Sequence, residues 1–319
     1  MRHIFRIGLG ALALGMVTIA LPAQAQYPEK PIEIILPWPP GTETDVGTRV
    51  LAQAMSKQLN VPVQVINKPG AAAVVGATEV SKARPDGYTL GSLNIGPLVS
   101  QVIAGNAPYT MADFEVIGLY DTQPYLLLAK GDAPYKNMAE LAAHVKSGKA
   151  VSIGNFGPAT VPTLSINRMA AKDGWTFKSV TFPQTNFNQI SAGDVDMVIV
   201  AYPVVAGQIK SGQARGLVAM TPNRMSVLPD LTTAREQGFG FDVNIWSGMF
   251  APKGTPAAVL TRVGAALEKA LADPAVKEFS GKSSIIYSYL DPAKTRAQIK
   301  ADEDGLRPVM DQLGLIKKK

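Results

Sequence analysis

Glu43 is the residue whose chemistry most needs explaining. It stands in Pro37-Trp38-Pro39-Pro40-Gly41-Thr42-Glu43-Thr44-Asp45, a stretch with hydroxyls on either side and no Lys or Arg. A carboxylate there repels an anionic ligand unless it faces away, meets a cation or takes up a proton. Glu140 and His144 form a second candidate, because a spacing of four on a helix puts both on one face. A metal would need a third ligand, which the surrounding sequence does not offer, so a surface pair is expected. Catalytic sets are missing. There is no Cys, no Gly-x-Ser-x-Gly elbow, no His-Glu-x-x-His, no Gly-x4-Gly-Lys and no Gly-x-Gly-x-x-Gly in a strand-to-helix turn. His144 is the sole histidine after the first residues of the chain, which leaves little for a Ser-His-Asp arrangement. No cofactor or metal is expected.

These residues must be held by an alternating pattern of strands and helices. Ile32–Leu36 is an apolar run that breaks at Pro37, and Asp45–Leu59 has helical spacing with Val46, Val50, Leu51, Ala54, Met55 and Leu59 able to share a face. Thr44 or Asp45 is the expected cap of that helix. Strands at Val61–Ile66 and Tyr88–Leu93 and a helix at Gly76–Ala83 complete a β-α-β-α-β order, which implies parallel strands. Strands at Tyr125–Ala129, Val151–Gly154, Asp196–Val200 and Gly216–Met220 alternate with helices at Met138–Lys146, Thr160–Lys172 and Val204–Ser211, so the architecture repeats. A strand at Ile245–Phe250 precedes Pro256–Ala272, expected as the longest amphipathic helix. Helix at Pro292–Gln312, interrupted at Gly305 and Pro308, closes the chain.

Open α/β sheets bind ligands beyond the carboxyl ends of their strands. The candidate loops are Pro37–Asp45, Leu93–Leu98, Asn155–Thr160, Phe182–Asn186 and Ala201–Pro203, all without Lys or Arg. They contribute Trp38, Gly41, Thr42, Glu43, Thr44, Asp45, Asn94, Ile95, Gly96, Asn155, Phe156, Gly157, Thr160, Gln184, Thr185, Ala201 and Tyr202. Helix N-termini behind such neutral loops suit an anion. Trp38, Phe156 and Tyr202 serve either as aromatic walls or as core. Thr42 and Thr44 serve as donors or caps, and Asp45 as a loop brace.

The N-terminus carries an export pattern. Arg2, His3 and Arg6 precede an apolar run, Ile7–Leu21, and then Ala23-Gln24-Ala25, which reads as a signal peptide cleaved near Ala25. The run is shorter than the ~20 residues of a spanning helix. With no Cys, neither a disulfide nor a lipid-modified cysteine is available. The formal charge of +6 falls to +4 without Arg2 and Arg6, and part of the rest lies in Lys317-Lys318-Lys319. No basic stripe interleaved with aromatics suggests nucleic-acid binding.

Six stretches in order resemble one family. They are PWPPGTETD (Pro37–Asp45), NKPGAAAVVGA (Asn67–Ala77), ARPDGYTL (Ala83–Leu90), GDVD (Gly193–Asp196), LPDLTTAREQGF (Leu228–Phe239) and WSGMFAPKGTP (Trp246–Pro256). Together they are similar to the motifs of the Bug or TctC family, periplasmic solute-binding proteins of tripartite tricarboxylate transporters. The resemblance implies an α/β, type II-like clamshell of two lobes, each a mostly parallel sheet flanked by helices, joined by crossover strands. Residues 1–25 would be the signal, 26–124 and 245–319 domain 1, and 125–244 domain 2. It implies a monomer that captures a small carboxylate and delivers it to membrane permease subunits; a sensor subunit feeding a signalling receptor would use the same clamshell. Gly41–Asp45 and Asn94–Gly96 would serve from domain 1, and Asn155–Thr160 with Thr163 from domain 2. The chain departs from the pattern at Thr42, Glu43, Thr163, Phe182–Thr185 and Ala201-Tyr202. These changes leave mono- and dicarboxylates, aromatic acids and amine- or amide-bearing solutes as ligand classes. Trp246 is expected to pack where the lobes join.

Overall fold

Strand β1 (Ile32–Leu36) buries every residue but Glu33, as a strand covered on both faces should. It is the middle of a parallel trio with β2 (Val63–Asn67) and β3 (Thr89–Asn94). The computed structural model describes residues 27–241 and 243–317. The expected signal peptide, with Arg2, Arg6 and Ala25, lies outside them, as do Lys318 and Lys319.

Two sheets carry the fold. The first runs β11-β4-β10-β3-β1-β2 and adds β4 (Phe114–Thr122), β10 (Trp246–Pro252) and β11 (Ile286–Leu290) to the trio. The second runs β7-β6-β8-β5-β9, with β5 (Tyr125–Lys130), β6 (Ser152–Asn155), β7 (Lys178–Thr181), β8 (Met197–Ala201) and β9 (Ala214–Met220). Helices flank both: α1 (Glu43–Leu59), α2 (Val74–Lys82), a π turn at Gly96–Ser100 running into α3 (Gln101–Ile103), α4 (Met138–Lys146), α5 (Val161–Asp173), α6 (Phe187–Ala192), α7 (Tyr202–Lys210), α8 (Ala257–Leu271), α9 (Pro274–Ser283) and α10 (Pro292–Gln312). The molecule is therefore a two-lobed α/β protein.

The expected parallel pairing is confined to β2-β1-β3 and β7-β6-β8. The other pairings are antiparallel, so each sheet is mixed. The reason lies in the crossings. β4 hands the chain to the second sheet through Gln123 and Pro124, and β10 brings it back, so β5 and β10 enter against the direction of the βαβ units. The two crossing segments also bond to each other, Gln123 N–H to Ile245 C=O at 2.8 Å and Thr122 Oγ1 to Asn244 Oδ1 at 3.0 Å.

Helix α1 starts two residues before Asp45, and its buried face is Thr48, Leu51, Ala52, Met55 and Leu59. Val46, expected on that face, is 42% exposed. α8 buries Val263, Ala266, Leu267 and Ala270 at helical spacing and joins α1, β1 and β2 in one apolar cluster. Among the described residues the longest helix is α10, with 21 residues, rather than the helix after Pro256. It continues through Gly305 and Pro308, with Ile299 and Met310 buried on either side of them and Pro308 exposed, where water can reach the carbonyl that its missing N–H leaves open. A second cluster passes from Leu93 and Phe250 through Trp246 and Ile245 to Leu127, Ile153 and Leu164, so apolar packing is continuous between lobes. Trp246 is wholly buried and its indole donates to Asp302 at 2.7 Å.

Candidate ligand-binding cleft

The strand-end loops are drawn together by the sheet order. β1 and β3 are neighbours, so Trp38–Asp45 and Asn94–Gly96 lie side by side in lobe 1. β7, β6 and β8 are neighbours, which gathers Asn155–Thr160, Gln184-Thr185 and Ala201-Tyr202 in lobe 2. Ile95 from lobe 1 and Val161, Leu164 and Ser165 from lobe 2 line one cavity of about 240 Å³, which extends past Arg168 to Asp302 and the α10 face and holds Ile95 alone of the candidate residues; the β3 end meets the start of α5 there. A wider hollow of about 660 Å³ lies at the β9 edge, lined by Gly131, Arg215, Gly216 and Leu231 among others, and holds none of these loops.

Both lobes use the same turn at the end of a strand. Asn94 Oδ1 accepts from Gly96 N–H at 3.1 Å, and Asn155 Oδ1 accepts from Gly157 N–H at 2.8 Å. Each is a side-chain turn that bends the chain sharply out of its sheet. Gly157 needs its lack of a side chain, with φ at +115°. Asn155 is fully buried and also donates to Ile153 C=O and Ser179 Oγ.

The two lobes differ at their helix N-termini. In lobe 1 the cap of α1 is Thr42, not Thr44 or Asp45. Thr42 Oγ1 accepts from Asp45 N–H at 3.3 Å and donates to Pro39 C=O at 2.9 Å. Asp45, 3% exposed, accepts from Gly41 N–H, Asn67 Nδ2 and Arg49. Burial by itself would raise the Asp45 carboxyl, but the bonds from Arg49, Asn67 and Gly41 outweigh it and hold the pKa below the usual value. Asp45 therefore braces the loop, and this bracing draws the first turn of α1 back to Glu43. Thr44 is half-buried in that turn. In lobe 2 neither α5, entered at Thr160, nor α7, entered at Ala201, has a side-chain cap. These two open N-termini stand at the ends of adjacent parallel strands, β6 and β8. Thr160 Oγ1 donates to Gly157 C=O and lies 2.9 Å from Thr163 Oγ1, which is fully buried.

The remaining candidates divide. Phe156 is half-buried, its ring edge-to-face with Tyr125 at 5.8 Å. Trp38 is half-buried with its indole N–H unpartnered. Tyr202 packs in the lobe 2 core, and its N–H donates to Pro124 C=O. Ala201 is buried beside it. Thr185 is turned inward, donating to Ile199 C=O, while Gln184 is exposed. Asn137 caps α4, accepting from Glu140 N–H, while the Glu140 carboxylate reaches back to accept from Lys136 N–H and Asn137 Nδ2; His144 lies edge-on to Tyr135, so Glu140 and His144 do not pair with each other.

Glu43 is turned inward. Both carboxyl oxygens are buried and meet no hydrogen-bond partner among the described residues. Desolvation first, then the charge of Asp121, pushes its pKa up to about 8. Asp121 is buried at the lobe crossing, where it accepts from Ser247 N–H and Gln123 Nε2, and burial raises it to about 6. Burial raises the hydroxyls of Tyr125 and Tyr287; the Glu43 charge adds to this at Tyr125, and at Tyr287 it follows those of Asp121 and Tyr120. Asp121, Tyr125 and Tyr287 were not singled out from sequence. The available signal was an acid inside the apolar stretch Val116–Ala129.

Two α/β lobes, joined by a pair of crossing segments and turning matched strand-end loops toward one another, define a periplasmic-type solute-binding protein. Comparison with known proteins narrows this. Residues 48–315 match the tripartite tricarboxylate transporter family receptor, TctC, and the chain belongs to that family. It is accordingly a solute-binding receptor and not an enzyme. A UPF0065 protein of the TAR-I ttuE-ttuC' intergenic region of Agrobacterium vitis is 31% identical over 300 residues, covering 92% of this chain and 87% of the relative. The structure of periplasmic binding protein BugD superposes with a TM-score of 0.79 at 31% identity, covering 92% of this chain and 100% of BugD. MatC from Rhodopseudomonas palustris, solved with bound malate, gives a TM-score of 0.77 at 26% identity over 89% of this chain and 99% of that one.

Proposed function

We propose that this protein captures a small organic carboxylate between its lobes in the periplasm and delivers it to the permease subunits of a tripartite tricarboxylate-type transporter. In this reading the signal peptide is cleaved near Ala25 and the mature protein acts as a monomer. Residues 26–124 and 245–319 form one jaw and 125–244 the other. The observation that carries the proposal is the pair of uncapped helix N-termini, α5 and α7, beside loops without Lys or Arg. The N–H groups left open in the first turns of α5 and α7, where Pro162 and Pro203 carry none and Tyr202 N–H is already given to Pro124 C=O, act with the positive ends of two helix dipoles to attract a carboxylate, and neutral donors allow release. The malate bound by MatC supports the same ligand class. Asn94–Gly96 and the Gly41–Glu43 turn form the opposing wall. Thr42, Asp45, Asn155, Thr163 and Thr185 hold the loops in shape, while Phe156 and Thr160 line the lobe 2 side. Ligand touches both jaws only when they are closed, so binding shifts the population toward closure.

The test is a thermal-shift series with malate, succinate, glutarate, adipate and benzoate. At least one acid should raise Tm by several degrees, and Thr160→Trp, which fills the mouth of α5, should remove the shift while leaving the unliganded Tm within about 3 °C. A flat response to every acid would reject the reading.

A further inference from the structure

Glu43 is the first residue of α1, and its carboxyl is enclosed by groups from several elements. Asp45 on the same helix is committed to Arg49, Asn67 and Gly41. β4 contributes Asp121, already held by Ser247 and Gln123. β11 contributes Tyr287, whose hydroxyl lies against Gly47 of α1, and β5 contributes Tyr125; burial raises both hydroxyls, with the Glu43 charge adding to it. Among the described residues, Asp121 is the one charge acting on Glu43, and no cation offsets it. Tyr125 in turn packs on Phe156, so Glu43 sits where the lobe 1 loop meets the β6–α5 loop.

A buried carboxylate with no hydrogen bond and an acid for a neighbour is costly to ionise. The neutral acid is the favoured form and carries an O–H with no acceptor. We propose that Glu43 is a proton-linked selector of the ligand: as the acid it donates its O–H to a carboxylate oxygen of the bound solute, and as the carboxylate it repels that solute. This rests on the cleft being the carboxylate site. The proton balance is simple. Any Glu43 ionised in the free protein takes one proton from solvent as the solute binds, because the incoming negative charge raises its pKa further. Affinity is therefore level while Glu43 is protonated in the free protein, and falls about tenfold per pH unit above its free pKa.

The experiment is calorimetric titration between pH 6 and 9.5, starting with malate and extending to succinate, glutarate, adipate and benzoate, in two buffers of different ionisation heat. For the wild type, Kd should be constant below about pH 7.5 and weaken about tenfold per unit above about pH 8, with proton uptake approaching one per ligand there. Glu43→Gln, which keeps a neutral donor, should bind several-fold more weakly at pH 6 with no pH slope and no proton uptake. Glu43→Ala should bind more weakly still. Melting curves verify that both variants are folded. Wild-type binding that is independent of pH, or a slope that survives in Glu43→Gln, overturns the inference while leaving the carboxylate site standing. An amine- or amide-bearing solute, tested as lysine or nicotinamide, that binds more tightly as pH rises also overturns it, because Glu43 would then be serving as an anion. If no acid binds either protein at any pH, the cleft assignment fails and takes this inference with it.

Discussion

Replacing Glu43 by Gln should stabilise the protein at alkaline pH and do little in acid. In the unfolded chain this carboxyl ionises near its model value of 4.5, and in the folded chain only near 8. The folded state holds the proton more tightly, so the contribution to stability is fully present below about pH 4.5 and is lost as pH rises through about 8. A difference between 4.5 and about 8 corresponds to at most about 5 kcal/mol, at about 1.4 kcal/mol per unit. Relaxation of the surrounding loops makes roughly 2–4 kcal/mol a realistic size. Asp121, raised to about 6, gives both proteins a loss of the same sign at lower pH, so the variant isolates Glu43. Urea unfolding at pH 5, 7 and 9 reads this directly. At pH 5 the two proteins should agree within about 1 kcal/mol, and at pH 9 Glu43→Gln should be more stable by roughly 2–4 kcal/mol. A variant no more stable than wild type at pH 9 would refute the account of Glu43 as a buried, unpaired acid.

Asp45→Ala should cost about 2–4 kcal/mol in urea unfolding, because it strands Gly41 N–H, the Asn67 amide and the Arg49 guanidinium together. Ala71, Ala72 and Ala73 carry positive φ of 46°, 52° and 75°, so Ala72→Gly should raise stability by about 1 kcal/mol, measured by the urea midpoint at unchanged m. Trp246→Phe removes the indole bond that lowers Asp302, a carboxyl that burial raises to about 6. It should lower stability by about 1–3 kcal/mol at pH 8 and less at pH 5, where Asp302 is protonated.

The trio strands and the helices behind them were legible because their apolar periods are long and their breakers strong. α4 begins and ends where the pattern placed it, at Met138 and Lys146. β7 was not legible, since Lys178, Ser179 and Thr181 are exposed and leave no alternation to read. β11 and α9 were missed for a similar reason, with Ile286 and Ser288 exposed on an edge strand and just two residues of α9 buried. β4 was hidden by Gly118 and Asp121, whose burial depends on β10, about 130 residues later in the chain. The site followed the same division. Its loops could be placed because strand ends in an open sheet must gather at one edge. What Glu43 does there could not, because three outcomes were open, and the choice between them rests on Asp121, Tyr125 and the absence of a cation beside it among the described residues, all set by tertiary contact.

The account stands most directly on where a carboxylate sits. A crystal structure of the complex with the tightest-binding acid from the thermal-shift series would show this. The account predicts the carboxylate between the lobes, within hydrogen-bond reach of the first-turn N–H groups of α5 or α7. A ligand found instead in the hollow at the β9 edge, or anywhere outside the interlobe loops, would contradict it.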